Sequence, residues 1–354
     1  MDEELRNRIA LIWANKTRPR HARELLDHYP TATEAIARHP ESVNKEALRH
    51  ADEEMEFIQQ HNISTYYYRD DNYPYRLSQC VDAPLLLYAT GNMDVNPKHA
   101  ISIVGTRMPT ERGKSWCQRL VADLAALIPD ITIISGLAYG IDITAHRAAI
   151  EAGVPTIIIP AHGLDRIYPT VHRNTAIQAL KNGGILTEYT TGTDPEKYNF
   201  VARNRIIAGM ADAVLVIESK EKGGSLSTAQ MAQDYDREVF ALPGRLDDLT
   251  SAGCNKLIKM NRAQLIENAS DIVNTMQWEV VDKPVQTSLI ELTHNLNEKQ
   301  QSIVQLLREA EDGLHVNQLV MELKLPYNEV TSELVMMELQ DIVKSLPGGI
   351  WRLK

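Results

Sequence analysis

Six short apolar runs, alternating with helical patterns between residues 100 and 243, predict an α/β fold with a doubly wound, Rossmann-like parallel sheet. The runs are AISIV (100–104), ITII (131–134), PTIII (155–159), GILTE (184–188), AVLVI (213–217) and EVFAL (238–242). They are rich in β-branched residues and lack polar alternation, as expected of strands buried on both faces of a parallel sheet. Between them, Trp116, Leu120, Leu124 and Leu127 recur at helical spacing, as do Ala145, Ala148 and Ala149. In such a fold the ligand crevice lies beyond the strand C-termini, so function is sought there.

Residues 1–80 read as a small helical domain, with helical segments in LRNRIALIWA, HARELLDHY and ATEAIARH and another near Asp52 to His61. The sheet domain is assigned to 81–280. Periodicity is lost from Lys283 to about Asn297, after Pro284, so 281–297 is read as a linker. The tail, 298–354, shows helical patterns at Lys299 to Glu309, Val316 to Lys324 and Tyr327 to Gln340, then IVKSLPGGIWRL with Pro347-Gly348-Gly349 as a hairpin turn. Three helices and a hairpin predict a winged helix.

A chain of 354 residues should hold two or three domains. No apolar run approaches the roughly 20 residues of a membrane span, and the N-terminus MDEELRNR lacks a signal-peptide pattern, so a cytoplasmic protein without membrane contact is expected. Cys80, Cys117 and Cys254 are too far apart for a metal motif and do not suggest a disulfide framework. The net charge of −10 is unevenly spread: residues 101–270 carry 18 basic and 18 acidic residues, leaving 19 and 29 for the flanks. A basic groove in the middle remains compatible with the total.

The segment Lys197 to Gly209, KYNFVARNRIIAG, sets one of three phenylalanines among three cations with no acid. An aromatic ring offers a stacking face to an unpaired base while Lys and Arg meet the phosphates. Asn199 is expected to cap a helix starting at Phe200, leaving amides beside Lys197, Arg203 and Arg205, with Ile206 and Met210 in the core. The bland alternative buries Phe200. After the first strand, Gly105-Thr106-Arg107 suits backbone approach to a phosphate and a bidentate clamp by Arg107, or else a surface ion pair. Gly113-Lys114-Ser115 does not complete a P-loop, because the opening glycine would have to stand at Met108.

Ser135-Gly136-Leu137-Ala138-Tyr139-Gly140-Ile141-Asp142 leads a strand into a helix and can form an anion site or simply a tight connection. It is not GxGxxG, and PTIIIPAHG ends without an acid for a ribose, so no cofactor is expected. The loop Lys220 to Ser225 precedes LSTAQMA and forms another backbone-rich cradle. No GxSxG, HExxH or Cys/His pair occurs, and no general acid or base stands out. His146 is read as structural, and His162 as a loop residue that could touch a ligand. From Tyr327 to Val343 the tail has no Lys or Arg, while Glu329, Glu333, Glu338 and Asp341 make it acidic, which points to protein contact rather than DNA reading. Arg6 to Arg23 holds six cations and no acid, so auxiliary nucleic-acid contact by the N-terminal helices is one reading, a solvated face the other.

Together these residues resemble the DNA-processing protein A family (DprA, also called Smf). The resemblance runs through Tyr73-Pro74, Asp82 to Tyr88, Val104 to Arg107, Ser135 to Asp142, Arg203 to Ile207, Gly224-Ser225-Leu226, Leu242-Pro243-Gly244 and Gly253 to Ile258. It implies an extended Rossmann core that binds single-stranded DNA without sequence preference, forms a homodimer and helps load the RecA recombinase during natural transformation. By motif position it makes Arg107 the phosphate clamp, Lys197 an electrostatic contact and Phe200 the stacking ring, with Gly136, Arg203, Asn204 and the Lys222 to Ser225 loop lining the pocket. The full candidate set adds Gly105, Thr106, Ser135, Arg205 and Gly224. Family members often carry a helix-hairpin-helix or SAM-like N-terminal segment with a hairpin glycine, which IWANKTRPRHARELL lacks.

The alternatives are a partner-binding scaffold and a phosphoribohydrolase-type enzyme. The latter is expected to carry PGGxGTxxE, but here Pro243-Gly244 continues as Arg245-Leu246-Asp247 and Gly223-Gly224 as Ser225-Leu226-Ser227, so the catalytic acid is missing.

Overall fold

The computed structural model describes residues 2–280, 296–308, 310, 313–340 and 342–353. They fall into two compact units, Met1–Val281 and Asp282–Lys354. Most of the segment read as a linker, together with Glu309 and Asp341, lies outside the described residues.

The first unit opens with four helices, α1 (Glu3–Ala14), α2 (Pro19–His28), α3 (Ala32–Arg38) and α4 (Lys45–His61). Local chemistry sets their ends: Asp2, Thr31 and Asn44 accept from backbone amides of α1, α3 and α4, and Pro19 occupies the first turn of α2. Asn62, with φ of 51°, terminates α4 in the left-handed region. Their apolar faces do not close on themselves. Ile9, Leu11, Leu26 and Met55 share a core with Tyr67, Leu86 and Tyr88, which belong to strands β1 (Ser64–Tyr67) and β2 (Leu86–Gly91). Part of the segment read as helical is therefore strand, and the helical module is packed onto the sheet.

After α5 (Tyr75–Ser78) and β2 the chain alternates: β3 (His99–Val104), α6 (Glu111–Leu127), β4 (Ile131–Ser135), α7 (Ile141–Glu151), β5 (Thr156–Ile158), α8 (Arg173–Ala179), β6 (Gly183–Thr187), α9 (Lys197–Gly209), β7 (Ala213–Val216), α10 (Gly224–Asp234), β8 (Glu238–Ala241), α11 (Ala252–Lys259), β9 (Gln264–Leu265) and α12 (Ala269–Met276). The strand order is β1-β2-β6-β5-β4-β3-β7-β8-β9. From β6 to β9 neighbours are parallel; β1 and β2 are added antiparallel at one edge. All six apolar runs are strands. Alternate residues of each strand enter opposite cores: Val104, Ile134 and Val214 lie on one side, and Ile103, Ile133 and Leu215 on the other. That two-sided burial is why the runs show no polar alternation. From β3 the chain winds to β4 on one side and later to β7 on the other, so the direction of winding reverses beside β3, where doubly wound folds hold ligands.

The second unit has helices Glu298–Arg308, Val316–Leu323 and Tyr327–Leu339 and a three-stranded sheet, β10 (Leu314–His315), β12 (Ile350–Leu353) and β11 (Val343–Leu346) in spatial order. Ile303, Leu319, Leu334, Met337 and Trp351 form its core. Gly348 and Gly349 take φ of 87° and 76° at the hairpin turn, where the left-handed backbone favours glycine. The unit is a winged helix. The carboxylates of its third helix are engaged within it: Glu329 accepts from Lys299 (2.6 Å), Glu333 from Gln300 (2.8 Å) and Glu338 from Ser345 (2.7 Å). Among the described residues no helix is long and apolar enough to cross a membrane.

Candidate nucleic-acid interface

A cleft of about 590 Å³ opens at the carboxyl ends of β3 and β7. One wall is the turn after β3. The Thr106 N–H donates to the Glu218 carbonyl (2.7 Å) and the Thr106 carbonyl accepts from Ile141 N–H (3.2 Å), tying the turn to β7 and α7. The buried Glu218 carboxylate accepts from Thr110 N–H (2.9 Å) and its hydroxyl (2.6 Å), closing the loop from below. The turn tolerates no bulk. A Cβ on Gly105 would meet Ile141 Cγ1 at 2.5 Å, and Gly140, with φ of 83°, packs so that a Cβ would stand 2.2 Å from the Thr106 carbonyl oxygen. These contacts present Arg107 at the lip, its guanidinium carbon 5.0 Å from the centre of the Phe200 ring.

The second wall is α9. It begins at Lys197 behind Glu196, without a side-chain cap and without an acid in its first turn. Asn199 is not the cap: it lies inside the helix and its Nδ2 donates to the Asp194 carbonyl (3.0 Å). Pro195 disfavours a helical conformation in Asp194, which places the start just beyond. Lys197, Phe200 and Asn204, three and four apart, share the face that lines the cleft, while Ile206 and Met210 are buried as expected. Phe200 is half-buried.

The third wall runs from Ser219 to the start of α10 and includes Lys220, Lys222, Gly224 and Ser225. The Ser225 hydroxyl donates to that of Ser219 (2.9 Å), and the Ser219 carbonyl accepts from Gly253 N–H (2.8 Å). α10 has no side-chain cap or early acid, so its first amides keep their positive character toward the cleft. Gly224 has open space where a Cβ would stand.

The floor holds two buried ionisable groups, Arg203 and Asp142, close enough to feel each other's charge. Arg203 is 3% exposed and donates to the Ile159 carbonyl, while its Nε has no hydrogen-bond partner. It faces Asp142 across Gly136: a Cβ there would meet Arg203 Nη1 at 2.2 Å and Asp142 Oδ2 at 2.5 Å. Burial pushes the Asp142 carboxyl above its usual range, against the pull of Arg203. Arg203 stays charged at any working pH. The lining thus holds five cations, Arg107, Lys197, Arg203, Lys220 and Lys222, against one carboxylate, Asp142. Among the described residues the side chains of Arg107, Lys197, Lys220 and Lys222 make no ion pair, so the alternative of a surface ion pair for Arg107 is not what the structure shows.

The cleft brings together Gly105, Thr106, Arg107, Lys197, Phe200, Arg203, Asn204, Lys222, Gly224 and Ser225. Three expected residues are elsewhere. Arg205 points off the cleft, paired with Glu188 at 2.8 and 2.5 Å, because five residues of helix turn it about 140° from Phe200. Ser135 is buried and donates to the Ile103 carbonyl (2.6 Å). Gly136 is buried under the floor, its carbonyl bonded to His146. His146 is structural, held also by Thr156 (2.7 Å), and burial lowers its pKa to about 4. His162, expected in a ligand-facing loop, is buried and braces the backbone instead. Sequence reasoning missed Asp142 and Lys220 as lining residues, although both stood in motifs already singled out.

The N-terminal helices touch this site indirectly. Buried Glu54 of α4 accepts from Thr191 N–H (2.9 Å) and its hydroxyl (2.5 Å), and His50 bonds Thr190 (2.9 Å), bracing the loop that leads into α9. Four of the six cations from Arg6 to Arg23 are engaged internally: Arg6 with Asp52, Arg8 with Glu4, Lys16 over the Trp13 ring, and Arg23 with the Ala83 carbonyl.

The model of the family described as DNA recombination-mediator protein A matches residues 64–277, and that of the DprA winged helix domain matches 291–349. DNA processing protein DprA of Streptococcus pneumoniae is 38% identical over 209 residues, covering 59% of this chain and 73% of that protein. Protein Smf of Escherichia coli is 33% identical over 284 residues, 80% of this chain and 75% of that one. Among solved structures, the S. pneumoniae DprA crystal structure shares 34% identity and a TM-score of 0.58, covering 65% of this chain and 82% of that one. DprA of Helicobacter pylori, whose structure is described for its single-stranded DNA binding mode, shares 34% identity with a TM-score of 0.55, over 61% of this chain and 95% of that one. With the sheet domain and the winged helix both matched in this way, the chain belongs to the DNA recombination-mediator protein A (DprA/Smf) family.

Proposed function

We propose that this chain binds single-stranded DNA without sequence preference, by contact rather than by catalysis, and presents it to the RecA recombinase in the cytoplasm during natural transformation and homologous recombination. The observation that carries this reading is the half-buried Phe200 ring in an open cleft beside Arg107, Lys197, Lys220 and Lys222, which make no ion pair among the described residues. Phosphates would be met by Arg107, Lys197, Lys220 and Lys222 and by the amides at the start of α10, and a base would lie on Phe200. Contact with backbone and ring faces, rather than base edges, leaves sequence unread. The H. pylori relative supports the ligand class, and the mediator description of the family supports hand-over to a recombinase. The proposal includes homodimerisation through the sheet domain, for which the family resemblance is the support.

The test is a titration of the protein with two fluorescent single-stranded oligonucleotides of unrelated sequence and with a duplex. Similar affinity for the two strands and weaker binding of the duplex are expected. Equal preference for the duplex, or discrimination between the two strands by more than about tenfold, the scale of a base-specific contact, would overturn the reading.

A further inference from the structure

Tyr168 lies on the connection between β5 and α8, with its ring centre 6.2 Å from that of Phe200 and the planes inclined at 58°. It is 46% exposed, and among the described residues its hydroxyl makes no hydrogen bond. Its backbone, in contrast, is tightly held. The Tyr168 N–H donates to His162 Nε2 (3.1 Å), and the His162 Nδ1–H donates to the Gly163 carbonyl (2.8 Å), a pairing that only the neutral Nδ1 tautomer satisfies. Burial keeps His162 below the usual imidazole range and so favours that neutral form. The His162 carbonyl in turn accepts from Thr187 (3.0 Å) at the end of β6. Farther along the same segment, His172 bonds the Leu137 carbonyl (2.9 Å) and packs edge-on against Tyr139 (4.9 Å). The held backbone fixes where this exposed ring stands beside Phe200.

Two rings so inclined do not clamp one base. A base between parallel faces needs about 7 Å, twice the roughly 3.4 Å stacking repeat, and these rings are closer and far from parallel. We infer that Tyr168 is a second stacking platform, which takes the base adjacent to the one on Phe200 while the strand turns between them. This rests on the single-strand reading given above and extends it: the ligand is a pair of successive, splayed nucleobases, which a flexible single strand supplies and a stacked duplex does not. Arg166, two residues away, is already paired with Asp165 (2.9 Å) and with Asp194, so the contribution of this side of the site is stacking rather than charge.

The experiment is a double-mutant cycle on the full chain, with Phe200→Ala, Tyr168→Ala, the double variant and Tyr168→Phe, titrated with a labelled short oligodeoxythymidylate. Thermal melting checks each fold. Tyr168→Ala is expected to weaken binding by about 5- to 100-fold without altering the salt dependence, and Tyr168→Phe to retain wild-type affinity. In the double variant Tyr168→Ala should still weaken binding beyond Phe200→Ala alone, though by less than the product of the two losses, because the rings are neighbours. If Tyr168→Ala is silent, or adds nothing once Phe200 is gone, Tyr168 only buttresses Phe200 and the inference falls while the single-strand reading stands. If Phe200→Ala itself binds like wild type, the single-strand reading fails as well.

Discussion

Phe200→Ala should lower affinity for single-stranded DNA by about 5- to 150-fold, the equivalent of roughly 1–3 kcal/mol for one lost base stack, across unrelated sequences. Because the ring carries no charge, the slope of log K against log salt should not change. Arg107→Ala should behave differently. Each phosphate contact on a single strand contributes about 0.7 to that slope, so removing the clamp should flatten it by about that amount, as well as weaken binding. Arg107→Lys should restore the slope but not all of the affinity, because an ammonium keeps the charge and loses the planar fork. Anisotropy titrations at several salt concentrations read both quantities. Identical slopes for wild type and Arg107→Ala would remove Arg107 from the phosphate path.

The second large effect concerns stability. Asp142→Ala removes the one carboxylate beside Arg203, which is 3% exposed with its Nε already without a hydrogen-bond partner, so the loss should reach about 3 kcal/mol. That is a fall in melting temperature on the order of 10 °C for a unit of this size. Replacing both groups, Asp142→Leu with Arg203→Met, should recover much of the loss, because no buried charge is then left alone. Thermal or denaturant unfolding checks both variants. A loss below about 1 kcal/mol for Asp142→Ala, the scale of an ordinary surface change, would mean that cleft water solvates Arg203 and that the pair does not hold the floor.

The parallel core was legible because two-sided burial writes itself as uninterrupted apolar runs, and all six runs became strands. The edge strands β1 and β2 were not. Ser64–Tyr67 is short, and it becomes a strand by pairing antiparallel with Leu86–Gly91 and by roofing the N-terminal helices, a tertiary partnership with no local signature. Within the site, glycines at strand ends and cations near Phe200 pointed to the cleft, since those residue types have few other reasons to cluster. Arg205 was misplaced although helical periodicity alone puts it off the Phe200 face. Ser135 and Gly136 were misplaced for a different reason: they sit at the strand end, but its last residues are still roofed, by Arg203 and His146. Asp142 and Arg203 meet beside Gly136 from two helices distant in the chain, so no local pattern announces their apposition.

In the proposed binding mode an unpaired base lies against Phe200 in the cleft beyond β3 and β7. Photocrosslinking of a 5-iodouracil-substituted single strand to the full chain, followed by peptide mapping, tests it most directly. Adducts are expected in the peptide that spans Lys197 to Asn204, as is their loss in Phe200→Ala. Adducts confined to the N-terminal helices or the winged helix, and unchanged in that variant, would contradict it.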